Sequence, residues 1–189
     1  CGDRPSSIAY EGRLTTEMHI DLHTHSVSSD DSRATVEQYV KWVGVLRRKG
    51  YHIDGFVLTE HRKFDFDADY SELAAENEVV ILKGSELDTD MGHFLVYGVN
   101  DELARRIDFS NVRTEAMELV AAAEDTGAIA IPAHPGRFGI GLCEFADNGL
   151  DLSALRVGEL LNGSNRPGEQ ERAEELLDFA HGVELWDLP

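Results

Sequence analysis

The sequence predicts an α/β protein in which parallel strands are covered on both faces by helices. Short continuous apolar runs alternate with stretches of helical periodicity, which is typical of strands buried on both faces. Histidine or glutamate borders several of these runs, and parallel α/β architectures carry their sites at the carboxyl ends of the strands. The length of 189 residues suits one domain with a sizeable core, preceded by a polar tail over residues 1–17.

The first predicted strand, from Met18 to Ser26, ends in a His-x-His pattern. Side chains alternate between the two faces of a strand, so His23 and His25 share one face at a spacing of roughly 6 to 7 Å. Two imidazoles at that spacing can bind one cation such as zinc. Asp21 shares the same face, and we expect it to orient an imidazole. Ordinary half-buried strands show the same pattern, so the prediction depends on partners elsewhere in the chain.

Three later strands are each followed by an ionisable residue. They are residues 55–60 followed by His61, residues 79–85 followed by Glu86, and residues 128–133 followed by His134. His93 opens a further run, 94–99, after a tight turn, so we expect a hairpin to interrupt the alternation of strand and helix. Each histidine alone is more often structural than functional, but five histidines and a glutamate at one rim indicate a site.

Helical periodicity predicts three longer helices. They are a helix that follows a capping box at Thr35 and Gln38 and ends at Gly50, a helix over 111–126 with Asn111 as its cap, and a helix over 165–180. Residues 157–161 and 183–186 are predicted as the last two strands. The carboxylates of residues 65–69 resemble a calcium loop, but Tyr70 replaces the glycine that such a loop needs, which favours a helix start.

Composition excludes several classes of partner. Acidic residues number 36 and basic residues 17, and the formal net charge of −19 argues against a broad nucleic-acid footprint or an anionic membrane. Apolar runs of about 18 residues are absent, so no membrane partner is expected. Cys1 and Cys143 cannot form a disulfide framework, which favours a reducing compartment and a cytoplasmic location. The sequence leaves the oligomeric state open.

Five short motifs carry the candidate functional side chains. In chain order they are Asp21-Leu22-His23-Thr24-His25-Ser26 with Asp30 downstream, Thr59-Glu60-His61, Gly84-Ser85-Glu86, Gly92-His93 and Ala133-His134-Pro135. This ordered set resembles the polymerase-and-histidinol-phosphatase (PHP) family of metal-dependent phosphoesterases. The resemblance covers nearly the whole chain from Met18 onward. It implies one domain over residues 18–189, with a distorted seven-stranded β/α (TIM-like) barrel fold.

The resemblance also implies two or three divalent transition metals (Zn, Mn or Fe) at the carboxyl rim. By this resemblance the ligands are His23 and His25 for the first metal, Glu86 bridging to a second metal on His93 and His134, and Asp30 with His61 for a third. The family's closing Asp-x-His element is missing, because only Leu188 and Pro189 follow Asp187. We expect that the native chain continues, and that the third metal is held weakly without this element.

The implied function is hydrolysis of small phosphomonoesters or short nucleotidic phosphates by a metal-bound hydroxide. Glu86, His93 and His134 would be catalytic, while Arg137 and Arg166 would bind the phosphate of a small phosphorylated substrate. An alternative is a non-catalytic metal-binding module that supports a larger assembly. A barrel hydrolase acting on carbon–nitrogen bonds also carries a His-x-His strand, but it needs a carboxylated lysine and a lone aspartate that the later strands do not provide.

Overall fold

The elements of the fold are taken from a computed structural model, which describes residues 18–145, 152, 155, 157–179 and 184–185. In chain order they are β1 (Ile20–Thr24), α1 (Val36–Arg48), β2 (Gly55–His61), α2 (Ser71–Glu76), β3 (Val80–Thr89), β4 (Gly92–Tyr97), α3 (Asp101–Arg106), α4 (Ala116–Asp125), β5 (Ile129–Pro132), a 3₁₀ turn (Leu142–Glu144), β6 (Val157–Gly158), α5 (Glu169–Phe179) and β7 (Glu184–Leu185). The predicted tail over residues 1–17 lies outside the described residues, and the single domain over 18–189 stays a prediction.

Five strands form the main sheet, in the order β1-β2-β3-β4-β5. The pairs β1–β2 and β2–β3 are parallel, whereas β4 is antiparallel to both β3 and β5. The sheet curls into a half-barrel, and β6 and β7 form a separate two-stranded parallel sheet.

The expectation of a closed, seven-stranded TIM-like barrel is therefore wrong. The described chain has a five-stranded curled half-barrel with five helices. One reason is the hairpin between β3 and β4, which the sequence predicted correctly: a tight turn joins antiparallel strands, whereas parallel strands need a long crossover. The other is length, because β6 and β7 have two residues each and pair with one another instead of extending the main sheet.

The first helix begins as its capping box predicted. The Thr35 hydroxyl accepts a hydrogen bond from the Gln38 N–H at 3.3 Å, and the Gln38 side chain accepts one from the Thr35 N–H at 2.8 Å. These two bonds satisfy donors that the first turn of a helix would otherwise leave unpaired. The apolar face of α1 then packs against β2, with Val40 and Phe56 both buried in the contact.

The helix predicted from Asn111 begins only at Ala116. Asn111 instead stabilises a turn, in which its side-chain oxygen accepts a hydrogen bond from the Arg113 N–H at 3.0 Å. Asp90, in the β3–β4 turn, accepts a hydrogen bond from the Ala116 N–H at 2.9 Å. This donor at the helix start is thus satisfied by a residue distant in sequence, which a local capping pattern cannot reveal.

The acidic segment 65–69 is closed by a lysine. The Lys83 ammonium donates hydrogen bonds to the backbone carbonyls of Asp65 and Ala68, both at 2.7 Å, so these oxygens already have a cationic partner. Helix α2 begins at Ser71, in agreement with the helix start that the sequence favoured. No helix among the described residues is long and apolar enough to cross a membrane.

Strand β3 divides its side chains between the apolar core and a cavity. Leu87 is fully buried in the larger core, where α3 and α4 pack on the β3–β4 hairpin through Leu103, Leu119 and Phe94. Because neighbouring side chains of a strand point to opposite faces, Glu86 faces the other way, into the cavity. The core thus supports the strand that carries the central carboxylate of the candidate site.

Candidate metal centre

Glu86 lies at the centre of a cluster of five histidines, and only 1% of it is exposed. The ring nitrogens facing its carboxylate are His93 Nδ1 at 2.8 Å and His134 Nε2 at 2.9 Å from Oε1, with His23 Nε2 at 3.1 Å, His25 Nε2 at 3.1 Å and His61 Nδ1 at 3.5 Å from Oε2. One buried carboxylate therefore faces five imidazoles.

The register of the strands places these side chains at the same height in the sheet, around Glu86. His61 is the direct partner of Glu86 in the parallel β2–β3 ladder, and His93 is paired with Asp88 across the β3–β4 hairpin. His23 lies on β1, and His134 directly follows β5. All five histidines and Glu86 line one cavity of about 530 Å³, while their roles as metal ligands stay a prediction.

Three of the five imidazoles also have an outer hydrogen-bond partner on the ring nitrogen that does not face Glu86. These partners are Glu159 Oε1 at 3.0 Å from His23 Nδ1, Asp31 Oδ2 at 3.2 Å from His61 Nε2, and Ser29 Oγ at 3.4 Å from His25 Nδ1. His93 Nε2 lies 3.4 Å from Asp88 Oδ1 but forms no hydrogen bond with it. An acceptor on one nitrogen favours the tautomer whose other nitrogen offers a lone pair. The outer groups thus favour rings whose lone pairs face the centre of the cluster.

His134 has a backbone conformation that few non-glycine residues adopt, with φ of 30°. Its N–H donates a hydrogen bond to Glu159 Oε2 at 2.5 Å, which stabilises this conformation. The adjacent Gly136 is also constrained, because a Cβ there would lie 1.8 Å from the Glu169 carbonyl oxygen. Helix α5 therefore approaches the segment after β5 closely enough to require glycine.

The carboxylates of the site are held ionised by the surrounding imidazoles. Burial alone would raise the pKa of Glu86, but hydrogen bonds from His134, His23 and other rings hold that pKa far below its usual range. Burial lowers the pKa of His23, yet contacts with Glu159 and Glu86 outweigh this effect and raise it to about 10. At Glu159 burial would likewise raise the pKa, but the hydrogen bond with His23 outweighs burial, so the pKa of Glu159 is lowered. Without a metal, a protonated His23 thus compensates the charge of the two carboxylates, and a divalent cation would displace the proton from its Nε2 atom.

The donor set of the cluster fits divalent metals. His23 Nε2 and His25 Nε2 lie 3.0 Å apart and both face the same Glu86 oxygen, so one cation could bind both nitrogens and that oxygen. His61 Nδ1 is buried and has no hydrogen-bond partner within the described part of the chain. Three groups place their ligand atoms within 4.8 Å of one another: His23, His25 and Glu86; His25, Asp31 and His61; and His61, Glu86 and His93. Imidazole and carboxylate ligands of this kind suit transition metals.

The structure does not bring the predicted ligand Asp30 into the cluster. Arg62 Nη2 lies 3.1 Å from the Asp30 carboxylate, which is largely exposed, while Arg62 Nη1 lies 3.1 Å from Asp88. The neighbouring Asp31 contacts His61 instead and lines the cavity. Adjacent residues of a loop point in different directions, and the ion pair with Arg62 holds Asp30 at the surface.

The two candidate phosphate-binding arginines are placed differently. Arg137 lines the cavity, whereas Arg166 is exposed and is not part of the cavity lining. Asp21 lines the cavity too, but its carboxylate accepts a hydrogen bond from the His23 backbone N–H at 3.1 Å, and the ring partner is Glu159. Asp187 and the segment that would carry a closing Asp-x-His element lie outside the described residues.

Sequence reasoning missed Glu159, Asn162 and Asp31. Glu159 directly follows β6, so the rule that identified His61 and His134 could have found it. The sequence predicted this strand over residues 157–161, which placed Glu159 inside the strand, whereas β6 ends at Gly158. Asn162 and Asp31 lie in loops, and no local pattern distinguishes them from other polar loop residues.

Comparison with known proteins supports the fold. No protein-family model matches the chain, and no curated protein matches its sequence. The fold is similar to the crystal structure of a protein from Bifidobacterium adolescentis that is provisionally named a metal-dependent phosphoesterase, with a TM-score of 0.58 and 15% sequence identity over 86% of this chain and 84% of that one. At this identity, the likeness shows that the two proteins share a fold.

Proposed function

We propose that this protein is a metal-dependent phosphoesterase that hydrolyses small phosphomonoesters or short nucleotidic phosphates. The observation that carries the proposal is the buried Glu86 carboxylate, which faces five imidazole nitrogens within 3.5 Å in the cavity that Arg137 lines. The similar fold of a protein provisionally named as a metal-dependent phosphoesterase supports it as well.

The proposed ligands follow from the contacts to Glu86. His23, His25 and Glu86 would hold one metal, Glu86 with His93 and His134 a second, and His61 with Asp31 would contribute to a further position. Bound divalent metals would act as Lewis acids, activating water and neutralising charge on the phosphate. Zn, Mn and Fe suit this donor set.

Residues of the chain itself bind and orient the substrate in this proposal. Arg137 offers a planar set of N–H donors, which match the oxygens of a phosphate group. Glu159 accepts a hydrogen bond from His23 Nδ1–H, so the Nε2 atom of the same ring can bind a cation. Ile140 and Leu161 line the same cavity, and they would contact the organic part of the ester and exclude water from it.

Phosphate release from phenyl phosphate, measured with added Mn²⁺ or Zn²⁺, tests the proposal. Glu86→Gln should reduce the rate at least about 100-fold, because it removes the charge that the cluster shares. Arg137→Ala should cost less. Glu118→Gln is the matched control, since Glu118 is exposed on α4 and outside the cavity. Metal retained by the wild-type chain without release of phosphate would overturn the proposal and favour a non-catalytic metal-binding module.

A further inference from the structure

Asn162 connects the candidate phosphate-binding arginine to the histidine cluster. Its Oδ1 accepts a hydrogen bond from Arg137 Nη2 at 3.0 Å, and its Nδ2 donates one to Glu159 Oε1 at 2.9 Å. The same Glu159 oxygen lies 3.0 Å from His23 Nδ1. A continuous chain of hydrogen bonds therefore runs from the Arg137 guanidinium to the His23 ring.

Chemistry determines the orientation of the Asn162 amide. A guanidinium can only donate hydrogen bonds and an ionised carboxylate can only accept them, so the amide oxygen must face Arg137 and the NH₂ group must face Glu159. The Ser164 N–H donates a second hydrogen bond to Asn162 Oδ1 at 2.9 Å, which holds the side chain against its own loop. Aspartate has no donor for Glu159, although it has nearly the same shape as asparagine.

Asn162 leaves most of the guanidinium available to a ligand. Within the described part of the chain, the Arg137 guanidinium donates to Asn162 and to no other acceptor. An arginine has five N–H donors, so the remaining ones can bind phosphate oxygens. Arg137 and Asn162 both line the cavity that contains the five histidines.

We infer that Asn162 is a positioning residue that acts through Arg137, holding the guanidinium at a set place relative to His23 so that one phosphate can reach both. This inference rests on the proposed function, because it assigns the means by which that site binds its phosphate. Without Asn162 the arginine side chain would sample several rotamers, and ordering it again would cost part of the binding energy.

A double-mutant cycle tests the inference on the full chain loaded with Mn²⁺. The probe is inorganic phosphate, with affinity measured by titration calorimetry for the wild type, Asn162→Ala, Arg137→Ala and the double variant. Asn162→Ala should weaken binding roughly 10-fold, as expected for a lost hydrogen bond to a charged group. In the Arg137→Ala background the same substitution should have little further effect, because its target is already absent.

A second readout, on the same Mn²⁺-loaded chain, needs no turnover. Phenylglyoxal modifies accessible arginines, and phosphate should protect Arg137 in the wild type but much less in Asn162→Ala, as peptide mapping would show. Asn162→Asp should also reduce the protection, but for another reason: its carboxylate would still accept from Arg137 while neutralising the charge that attracts phosphate, and it has no donor for Glu159. Asn165→Ala is the matched control, because Asn165 is in the same loop, binds Gln170 and does not line the cavity.

The outcomes separate this inference from the proposed function. Full additivity of the two substitutions, or unchanged phosphate affinity in Asn162→Ala, would overturn the role of Asn162 even if the wild type hydrolyses phenyl phosphate. Coupled losses of phosphate affinity in a chain that hydrolyses no ester would support the role of Asn162 and count against the proposed function. In an active enzyme, Asn162→Ala should raise KM by a similar factor and change kcat less.

Discussion

The two ends of strands β1 and β2 both carry histidines next to a carboxylate, but they differ in what surrounds these side chains. At the carboxyl end, His23 and His61 lie around the buried Glu86. At the amino end, the rings of His19 and His52 lie 4.4 Å apart and His52 Nε2 is 3.2 Å from Asp54, yet the His52 side chain is 62% exposed. The same residue types thus occur in two different environments.

Histidines next to a carboxylate are therefore not enough to define a candidate metal centre, because their burial and orienting partners differ between the two ends. Asp54 accepts a hydrogen bond from the His19 backbone N–H at 2.7 Å, so its carboxylate helps to join β1 and β2. Water solvates this end, which weakens the attraction between the imidazole and the carboxylate. At the other end, burial and the outer partners of the rings hold lone pairs towards one point.

The largest expected difference between the two ends is in zinc affinity, when the carboxylate beside a histidine is neutralised at each end in turn. Glu159→Gln should reduce zinc affinity by about 10- to 100-fold, because the amide carries no charge and has only one acceptor oxygen, whereas the two oxygens of Glu159 face His23 Nδ1 and the His134 N–H. Asp54→Asn, which changes the carboxylate near His52, should leave zinc affinity unchanged. Competition with a chromophoric chelator measures both. Equal losses in the two variants would show that the two ends do not differ in kind.

A smaller effect should separate the adjacent residues Asp31 and Asp30. Asp31→Asn should weaken one metal by roughly 10-fold, since Asp31 contacts His61, whereas Asp30→Asn should not, since Asp30 pairs with Arg62 at the surface. Metal content after dialysis, measured by mass spectrometry, reports the difference. Greater metal loss from the Asp30 variant would show that Asp30 is a metal ligand, as the family resemblance implied.

Arg47 allows the amino end to be perturbed without touching the metal centre. Its Nε donates to the Ile53 carbonyl at 2.8 Å and its Nη2 to the Glu78 carbonyl at 3.0 Å. Arg47→Ala should therefore lower the free energy of unfolding by about 1 to 2 kcal/mol, as urea denaturation would show, with metal affinity unchanged. Arg48→Ala, at an exposed neighbouring position, is the control. A loss of metal affinity in the Arg47 variant would mean that the two ends are coupled.

The smallest effect concerns the pH dependence of stability at the amino end. The His19 N–H, opposed by slight burial and assisted by the nearby His52, holds the pKa of Asp54 below its ordinary value of 3.8. A lowered folded-state pKa contributes stability that is present above pH 3.8 and is lost as the pH falls through the folded value. Asp54→Asn should lower stability slightly at pH 7 and change it little near pH 2, so that the acid side of the stability curve becomes flatter in urea melts between pH 2 and 7. An unchanged acid side would show that the His19 hydrogen bond does not favour the charged form.

Local sequence patterns were sufficient for the elements whose causes are local. The capping box at Thr35 and Gln38 predicted the start of α1, because the bonds that define a helix start lie within a few residues. The tight turn before His93 likewise predicted the β3–β4 hairpin. The rule that ionisable residues end buried strands selected His61, Glu86 and His134, the His-x-His pattern selected His23 and His25, and the turn before residues 94–99 selected His93. The structure brings all six side chains into one cavity.

Only the tertiary structure decided the features that depend on residues distant in sequence. The sheet stays a half-barrel because β6 pairs with β7 and not with the main sheet. The first turn of α4 is stabilised by Asp90, which is distant from the helix in sequence. The contact of Asp31 with His61, while Asp30 pairs with Arg62, depends on how separate loops pack, and the link from Arg137 to Glu159 through Asn162 also joins separate loops. The sequence by itself determined which side chains have the chemistry of a metal centre, because that chemistry belongs to the residue types. Their distances and orienting partners arise from packing between distant segments, so only the folded chain determines them.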